Sequence, residues 1–443
     1  MLIKGLCSDF TVEGSGVVKR DGRIIFVPGL VPGDTAELEI TADKKNYLLG
    51  RLKKISEPSP DRVIPACRHF GVCGGCTLQH YSYAAQLNWK RKFVEQSLRR
   101  IAGLTVSVRD IVPSADVLGY RNKAQLPFGR GGGLGYYRLD SHSVVDLQEC
   151  PVQPPDFTLI VRAARDFART KKIPVYDEHK HKGILRHLII RKSDYLREIL
   201  LGLAVNCRNF GLRAELDQLT AKLNEKLQTY RLTSIVANIN QKKTNKILTG
   251  RQEALLGSGF ITEKIGGRLF KVALNTFWQV NTPQAAQAYA QLAEWCAAGT
   301  NILDAYCGIG AIALTVADRA DSIFGVEENP QAVRDARRSA ENNGVSNARF
   351  ICGRMEEQPL DALGAPNIII ADPPRKGLAA RAAEQFLTLQ PEKIIYLSCN
   401  PASLARDLKL FCQTGKYQIQ EIIPYDFFPQ TTHIETLVLM QKT

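Results

Sequence analysis

Hydrophobic and polar positions follow a different pattern in each third of the chain. In residues 1–60, short runs of alternating apolar and polar residues are separated by Gly-containing turns, and the Asp21-Gly22 pair between two such runs is a hairpin signal. This pattern predicts about five strands that close into a small OB-like β-barrel. Such barrels often bind nucleic acid, although many bind protein. The Pro-rich residues 57–65 interrupt both helix and strand and predict a linker.

Residues 61–266 mix helical and extended patterns and predict an α+β domain. The predicted elements are a basic amphipathic helix at 84–101, strands at 184–191 and 198–205, a helix at about 210–227 and a strand at 233–239.

Residues 267–443 alternate continuous apolar runs with helical stretches. A helix is predicted to begin at Thr282, as N-cap, with Pro283 in its first turn, and to end before Gly299. Apolar strands separated by helices indicate a parallel sheet that is covered on both faces, as in Rossmann-like folds. We therefore expect an α/β multidomain chain with domains at 1–60, 61–266 and 267–443.

Charge adds a functional expectation for the middle domain. Of the net charge of +14, residues 61–266 carry +15, from 33 Lys and Arg against 18 Asp and Glu, while residues 1–60 carry +1 and residues 267–443 carry −2. A basic module beside a neutral one is typical of polyanion binding, and a merely solvated surface is the alternative.

Composition also bears on location. No apolar run approaches the roughly 20 residues of a membrane span, and the N-terminus does not resemble a signal peptide. With no export signal, the eleven cysteines indicate metal binding or chemistry rather than disulfides. We expect a cytoplasmic protein.

A candidate cofactor site follows the apolar strand that ends at Asp304. Gly308 and Gly310 lie at a strand-to-helix turn, where glycine lets a nucleotide-like ligand approach the backbone. Glu327 ends the next strand, 17 residues after Gly310, where an acid can hydrogen-bond ribose hydroxyls. The pattern fits a dinucleotide or S-adenosylmethionine, and Ala311-Ile312 in place of a third glycine argues against the dinucleotide.

Asp372-Pro373-Pro374 follows another apolar strand. It is either a turn made rigid by two prolines or an acid that binds the target amine of an exocyclic-amine methylase.

Cys399 ends a further apolar strand and therefore faces the ligand crevice of a parallel sheet. Although most cysteines are inert core residues, a thiolate here could add to C6 of a uracil. The ring then becomes an enolate whose C5 accepts a methyl group. The C5 proton must afterwards be removed by a base. Glu435 and His433, just before the last strand, are the two candidate bases.

Four cysteines form a second cluster. Cys67, Cys73 and Cys76 lie close together, and 73 residues separate Cys76 from Cys150, which is followed by a proline. Zinc, a cubic iron–sulfur cluster and unliganded thiols are all open. The 3+1 spacing favours the iron–sulfur cluster over zinc.

Taken together, these motifs resemble the RNA uracil-C5 methyltransferase family that combines an N-terminal TRAM domain with an iron–sulfur central domain. The resemblance covers nearly the whole chain. Its motifs are Phe277-Trp278-Gln279-Val280-Asn281, Asp304-Ala305-Tyr306-Cys307-Gly308, Asp372-Pro373-Pro374-Arg375, Ser398-Cys399-Asn400-Pro401 and His433-Ile434-Glu435-Thr436.

The resemblance assigns roles to these residues. It implies that Gln279, Tyr306, Glu327 and Asp372 contact S-adenosylmethionine, beside the turn at Gly308 and Gly310. It also implies that Cys399 is the nucleophile and Glu435 the base. Some family members have Asn at the position of Ala311, which puts one cofactor contact in doubt. For Cys67, Cys73, Cys76 and Cys150 it implies a structural 4Fe–4S cluster.

The expected substrate is a uridine in structured RNA. A target uridine must be splayed out, at a cost of a few kcal/mol, and Phe277, Trp278 and Phe428 are candidates to stack against it. We favour 23S ribosomal RNA over transfer RNA and expect no obligate protein partner. The alternatives are a small-molecule or amino-group methyltransferase, which Cys399 and the basic middle domain disfavour, and a non-catalytic RNA chaperone on a decayed methyltransferase fold.

Overall fold

The N-terminal region is a closed five-stranded barrel, seen in a computed structural model that describes residues 2–139 and 141–443. Asp21 and Gly22 both have positive φ, as a two-residue type I′ hairpin turn requires, which explains the Asp-Gly pair. The predicted barrel is confirmed. Its strands, in the order β1-β2-β3-β5-β4, are β1 (Leu2–Phe10), β2 (Gly16–Arg20), β3 (Arg23–Val27), β4 (Thr35–Asp43) and β5 (Leu48–Glu57).

The predicted linker, residues 57–65, is hydrogen-bonded to the barrel. Asp34 is fully buried and accepts hydrogen bonds from Ser59 N at 3.0 Å and from the Arg62 guanidinium. The barrel is therefore fastened to the start of the middle region.

The middle region contains a five-stranded sheet in the order β12-β11-β10-β9-β6. The helix predicted at 84–101 is confirmed, although its last turn, Leu98–Ala102, is π-helical. Helix α2, strands β6 and β12 and the β7-β8 hairpin were missed by the sequence analysis. The elements are α1 (Tyr83–Ser97), β6 (Lys123–Pro127), β7 (Gly135–Tyr137), β8 (Val144–Asp146), α2 (Pro155–Thr170), β9 (Leu185–Ser193), β10 (Glu198–Val205), α3 (Arg213–Asn224), β11 (Arg231–Ile239) and β12 (Arg251–Leu256).

A hairpin of β13 (Phe260–Ile265) and β14 (Arg268–Ala273) joins the middle region to the last. The division expected between 266 and 267 falls in the turn of this hairpin. Ile261, Phe270 and Val272 share one apolar core with residues of both neighbouring sheets, so the hairpin packs between them.

The C-terminal region is a seven-stranded sheet with helices, in the order β17-β16-β15-β18-β19-β21-β20. Its first five strands are parallel, as expected, but β21 runs antiparallel to β19 and β20. The elements are α4 (Thr282–Trp295), β15 (Thr300–Asp304), α5 (Ala311–Val316), β16 (Ala320–Glu327), α6 (Pro330–Asn342), β17 (Ala348–Cys352), β18 (Ile368–Ala371), α7 (Ala380–Leu389), β19 (Lys393–Ser398), α8 (Pro401–Gln413), β20 (Tyr417–Tyr425) and β21 (Glu435–Lys442).

Two expectations about this region need correction. The N-cap of α4 is Asn281 rather than Thr282, and its side chain accepts a hydrogen bond from Gln284 N at 3.3 Å. The last apolar run is an antiparallel strand, because the chain turns back through β20 before entering it. Among the described residues no helix is long and apolar enough to cross a membrane.

Candidate active site

The carboxyl ends of the parallel strands bring distant residues to one edge of the sheet. Asp304, Glu327 and Ser398 end β15, β16 and β19, and Asp372 directly follows β18. Because β21 is antiparallel, it begins at this same edge. Ser398 pairs with Thr436 in register, so Cys399 and Glu435 lie one residue beyond that pair, on adjacent strands.

A cavity of about 910 Å³ lies at this edge. Its size is in the range of sites that enclose a nucleotide-sized ligand. All the residues predicted to take part in catalysis or cofactor binding line this cavity except Gly310. They are Gln279, Tyr306, Gly308, Glu327, Asp372, Cys399 and Glu435.

Gly310 shapes the turn rather than the cavity wall. It precedes α5 with φ of 81°, and a Cβ there would lie 3.2 Å from the Phe350 ring. Gly308 also has positive φ, and its amide donates to Glu327 Oε2 at 3.1 Å. Glu327 accepts a second bond from Asn329 N at 2.7 Å. Glu327, at the end of β16, therefore stabilises the glycine turn.

Cys399 is partly buried and lines the cavity. Burial, together with the carboxyls of Glu435 and Asp372, raises the pKa of its thiol to about 11, and the Arg375 guanidinium opposes this rise. The thiol is therefore protonated in the free protein, and Arg375 is the cation that favours its thiolate form. The sequence placed Arg375 in a motif but assigned it no role.

Glu435 is only 3% exposed, and its Oε2 has no hydrogen-bond partner within residues 2–139 and 141–443. Burial and the neighbouring Asp372 raise the pKa of this carboxyl well above its usual range. Burial also raises the pKa of Asp372, to about 7. The two carboxyls oppose each other's ionisation, so both do not readily carry a charge at the same time.

His433 lies at the rim of the cavity. Its Nε2 is 3.4 Å from Arg375 Nη2, and its ring meets that of Phe428 edge to face. Partial burial, with Arg375 nearby, lowers the pKa of His433 to about 4, so the imidazole is neutral.

The three aromatic residues expected to stack on the substrate differ in exposure. Phe277 is 72% exposed at the cavity, and Phe428 also lines it. Trp278 is instead 7% exposed, and its indole N–H donates to Thr282 Oγ1 at 3.0 Å. Trp278 is therefore part of the core that supports Gln279.

Asp304 and Tyr289 were missed by the sequence analysis as site residues. Asp304 is fully buried, its Oδ2 accepts from Ala313 N at 3.2 Å, and burial with the nearby Asp372 raises its pKa to about 7. Tyr289 is buried in α4 and lines the cavity. An acid that ends an apolar strand is a signal for Asp304, whereas Tyr289 follows the ordinary apolar spacing of its helix.

A second, much smaller cavity of about 20 Å³ is lined by Cys67, Cys73, Cys76 and Cys150. Burial raises the pKa of Cys76 to about 11 and that of Cys150 to about 12. Thiols with such pKa values are deprotonated only by a strong nearby positive charge, such as a metal.

In the described part of the chain no three His, Cys, Asp or Glu side chains are grouped closely enough for a single metal ion. The structure does bring the four predicted cysteines to one small cavity, although Cys150 is far from the others in the sequence. The iron–sulfur cluster stays a prediction.

Comparison with known proteins gives a family for this architecture. Residues 353–443 match the model of tRNA (Uracil-5-)-methyltransferase, residues 302–372 that of a methyltransferase domain and residues 6–53 that of the TRAM domain. An uncharacterized RNA methyltransferase of Halalkalibacterium halodurans is 38% identical over 446 residues, which cover 98% of this chain and 95% of the relative. The chain belongs to the RNA uracil-5-methyltransferase family.

Other relatives of this methyltransferase agree. An uncharacterized RNA methyltransferase of Listeria innocua is 37% identical over 98% of this chain and 96% of its own length. The crystal structure of Pyrococcus abyssi tRNA (uracil-54, C5)-methyltransferase in complex with S-adenosyl-L-homocysteine has a TM-score of 0.80 and 29% identity. The structural match covers 99% of this chain and 100% of the Pyrococcus chain.

The family, the TRAM barrel and the methyltransferase fold expected from the sequence are therefore confirmed. The methyltransferase is an S-adenosylmethionine-dependent enzyme by its family. The roles of its individual site residues stay predictions.

Proposed function

We propose that the protein transfers a methyl group from S-adenosylmethionine to C5 of a uridine in RNA, with Cys399 as nucleophile and Glu435 as general base. The observation that carries this proposal is the juxtaposition of these two residues on adjacent antiparallel strands, at the edge where the cavity opens. An amino-group methyltransferase would use Asp372 without any need for a thiol at this place.

In the proposed reaction, the Cys399 thiolate adds to C6 of the uracil, and the C5–C6 π electrons move into the ring as an enolate. C5 then attacks the electrophilic methyl group of the sulfonium donor as the methyl–sulfur bond breaks. The Glu435 carboxylate removes the C5 proton, the C5–C6 double bond forms again, and the Cys399 thiolate leaves. The enzyme returns to its starting state when Glu435 releases this proton to solvent and Cys399 takes up the proton that its thiol lost before the attack.

The donor would be held by Gln279, Tyr306, Gly308, Glu327 and Asp372, which line the cavity on the side of β15, β16 and β18. In support, the Pyrococcus relative was crystallised with S-adenosyl-L-homocysteine, the demethylated form of this donor. Ala311 also lines the cavity, where its methyl side chain offers no polar contact.

We further propose that the RNA is a structured one in the cytoplasm, bound with help from the TRAM barrel and the basic middle region. The motif resemblance favours 23S ribosomal RNA, whereas the solved Pyrococcus relative is named for uracil-54 of tRNA. Mapping 5-methyluridine in both RNA classes from a deletion strain decides between them. A 5-methyluridine lost from tRNA alone would refute the ribosomal substrate.

For the cysteine cavity we propose a structural 4Fe–4S cluster on Cys67, Cys73, Cys76 and Cys150. Protein purified without oxygen should be brown and contain about four irons per chain. A colourless protein with one tightly held zinc would exclude the cluster.

The experiment that tests the mechanism is a denaturing gel of two variants incubated with substrate RNA and S-adenosylmethionine. Glu435→Gln keeps the shape of the side chain but cannot take a proton, so methylated RNA should stay covalently joined to Cys399. His433→Ala should only slow turnover. Accumulation of the adduct in His433→Ala, with free turnover in Glu435→Gln, would reverse the assignment of the base.

A further inference from the structure

The segment that leads into β21 is held mainly by residues from the first 120 positions. We call residues 426–432 the approach segment, since Glu435 follows it after two residues. The hydroxyl of Thr432 donates to Val12 O of the barrel at 2.5 Å, and its amide donates to Thr77 Oγ1 at 3.1 Å. Tyr120 donates to Pro429 O at 3.2 Å.

A buried ion pair fixes the start of the approach segment. Lys90 of α1 and Asp426 are both 0% exposed, and Lys90 Nζ lies 2.6 Å from Asp426 Oδ1. The same ammonium donates to Phe428 O at 3.1 Å. Two charges buried this deeply are a poor source of stability compared with apolar residues of the same volume, but they specify one geometry.

A pair of carboxamides fixes the middle of the segment. Gln86 Nε2 donates to Gln430 Oε1 at 3.1 Å, while Gln430 N donates to Gln86 Oε1 at 3.0 Å. Gln430 has φ of 69°, a left-handed conformation that non-glycine residues rarely adopt, and its carbonyl accepts both Thr77 N and Leu78 N. Contacts from several directions thus hold an unfavourable backbone conformation in place.

We propose that Lys90 and Gln86 are positioning residues for Glu435, an inference that rests on the proposed role of Glu435 as base. Through the approach segment they set where β21 begins and hence where the carboxylate meets the substrate. Cys399 and Asp372 follow β19 and β18 and make no hydrogen bond to the approach segment among the described residues, whereas Asn281, two residues after Gln279, donates to Phe427 O at 3.3 Å. Loosening it should therefore slow proton removal while thiol addition and methyl transfer continue.

The test must separate positioning from stability. Lys90→Met alone leaves Asp426 buried without its cation and should destabilise the fold strongly. The double variant Lys90→Met/Asp426→Leu removes both charges and retains apolar volume, so its melting temperature should stay near that of the wild type. We expect decay of the methylated covalent adduct to slow ~10-fold or more, because small displacements of a catalytic group are costly.

In steady state the double variant should show a matching fall in kcat with the KM for RNA unchanged. Gln86→Met should show the same signature at a smaller size. The matched control is Lys192→Met, which removes another buried lysine, 2.8 Å from Asp194, that has no contact with the approach segment in the described structure. Its adduct should decay at the wild-type rate.

Two outcomes overturn the inference and are distinguishable. If the double variant is as stable as the wild type and its adduct decays normally, while Glu435→Gln traps the adduct, Lys90 is merely structural and the proposed function stands. If Glu435→Gln traps no adduct, Glu435 is not the base, and the proposed function and the inference fall together.

Discussion

Cys399 and Cys76 have similar thiol pKa values but lie in different surroundings. Burial raises the pKa of Cys399 to about 11 and that of Cys76 to about 11 as well. Cys399 faces a cavity of about 910 Å³ with Arg375 nearby, whereas Cys76 faces three other cysteines across a cavity of about 20 Å³.

The difference suggests different tasks for the two sites. A thiol beside an open cavity can be reached by a substrate ring, as the proposed nucleophile must be. Four thiols around a cavity of about 20 Å³ leave no room for a substrate, as the proposed cluster ligands do. The following changes test that contrast, from the largest expected effect to the smallest.

Replacing the nucleophile should have the largest effect. Cys399→Ala should abolish methyl transfer and the covalent adduct, because the other thiol that lines the cavity among the described residues, Cys307, is buried in the glycine turn after β15 and not beside Glu435. Binding of S-adenosylmethionine, measured by calorimetry, should be nearly intact. Cys412→Ala is the control. Cys412 lies on helix α8, away from the cavity, so this variant should retain activity. Retained turnover in Cys399→Ala would exclude the covalent mechanism.

Replacing one of the four cysteines of the proposed iron–sulfur cluster should mainly lower the stability of the protein. Cys76→Ser should lose iron and about 4 kcal/mol or more of unfolding free energy, since loss of a metal is among the largest single-residue effects. Activity should fall as well, because Thr77 and Leu78, which follow Cys76, donate their amides to Gln430. Iron content, urea unfolding and kcat measure the three effects. Normal iron content in the variant would contradict the ligand assignment.

The pH dependence of adduct formation isolates Cys399. In Glu435→Gln the thiol, whose pKa is about 11 in the free protein, still titrates, as does Asp372, whose pKa is about 7. Above about pH 8 Asp372 is ionised, so the rate of adduct formation should rise by about tenfold per unit between roughly pH 8 and 10. Rapid-quench gels provide the rates. A rate independent of pH would mean that the thiolate is already formed at neutral pH.

A smaller effect concerns the buried carboxyls beside Cys399. Because burial raises the pKa of Asp372 to about 7, the folded state binds a proton that the unfolded state releases near pH 4. Stability should therefore fall as pH rises from about 4 to 7. Asp372→Asn should add about 2 kcal/mol to the unfolding free energy at pH 8 and almost none at pH 4.

Urea unfolding at both pH values measures this, with the exposed Asp361→Asn as control. Equal gains at the two pH values would show that Asp372 carries no raised pKa. The stabilised variant should also lose activity, since Asp372 lines the donor cavity.

The sequence alone determined the barrel, the alternating strands and helices, and the residues at the strand ends. These features are local. Asp21-Gly22 dictates its own turn, and an acid or cysteine that ends an apolar strand must face the crevice of a parallel sheet. The sequence could not tell that β21 is antiparallel, which is what brings Glu435 beside Cys399.

Only the tertiary structure decided how the approach segment is held. The sequence placed Lys90 in a basic amphipathic helix, where a lysine ordinarily faces water, yet it is fully buried against Asp426, 336 positions away. Trp278 is likewise buried, and Gln86 is hydrogen-bonded to Gln430, 344 positions away in the sequence. Local periodicity reports which face of an element is apolar. It carries no information about the distant partner that makes burial of a charge or an amide tolerable, because that partner is chosen only when the chain closes on itself.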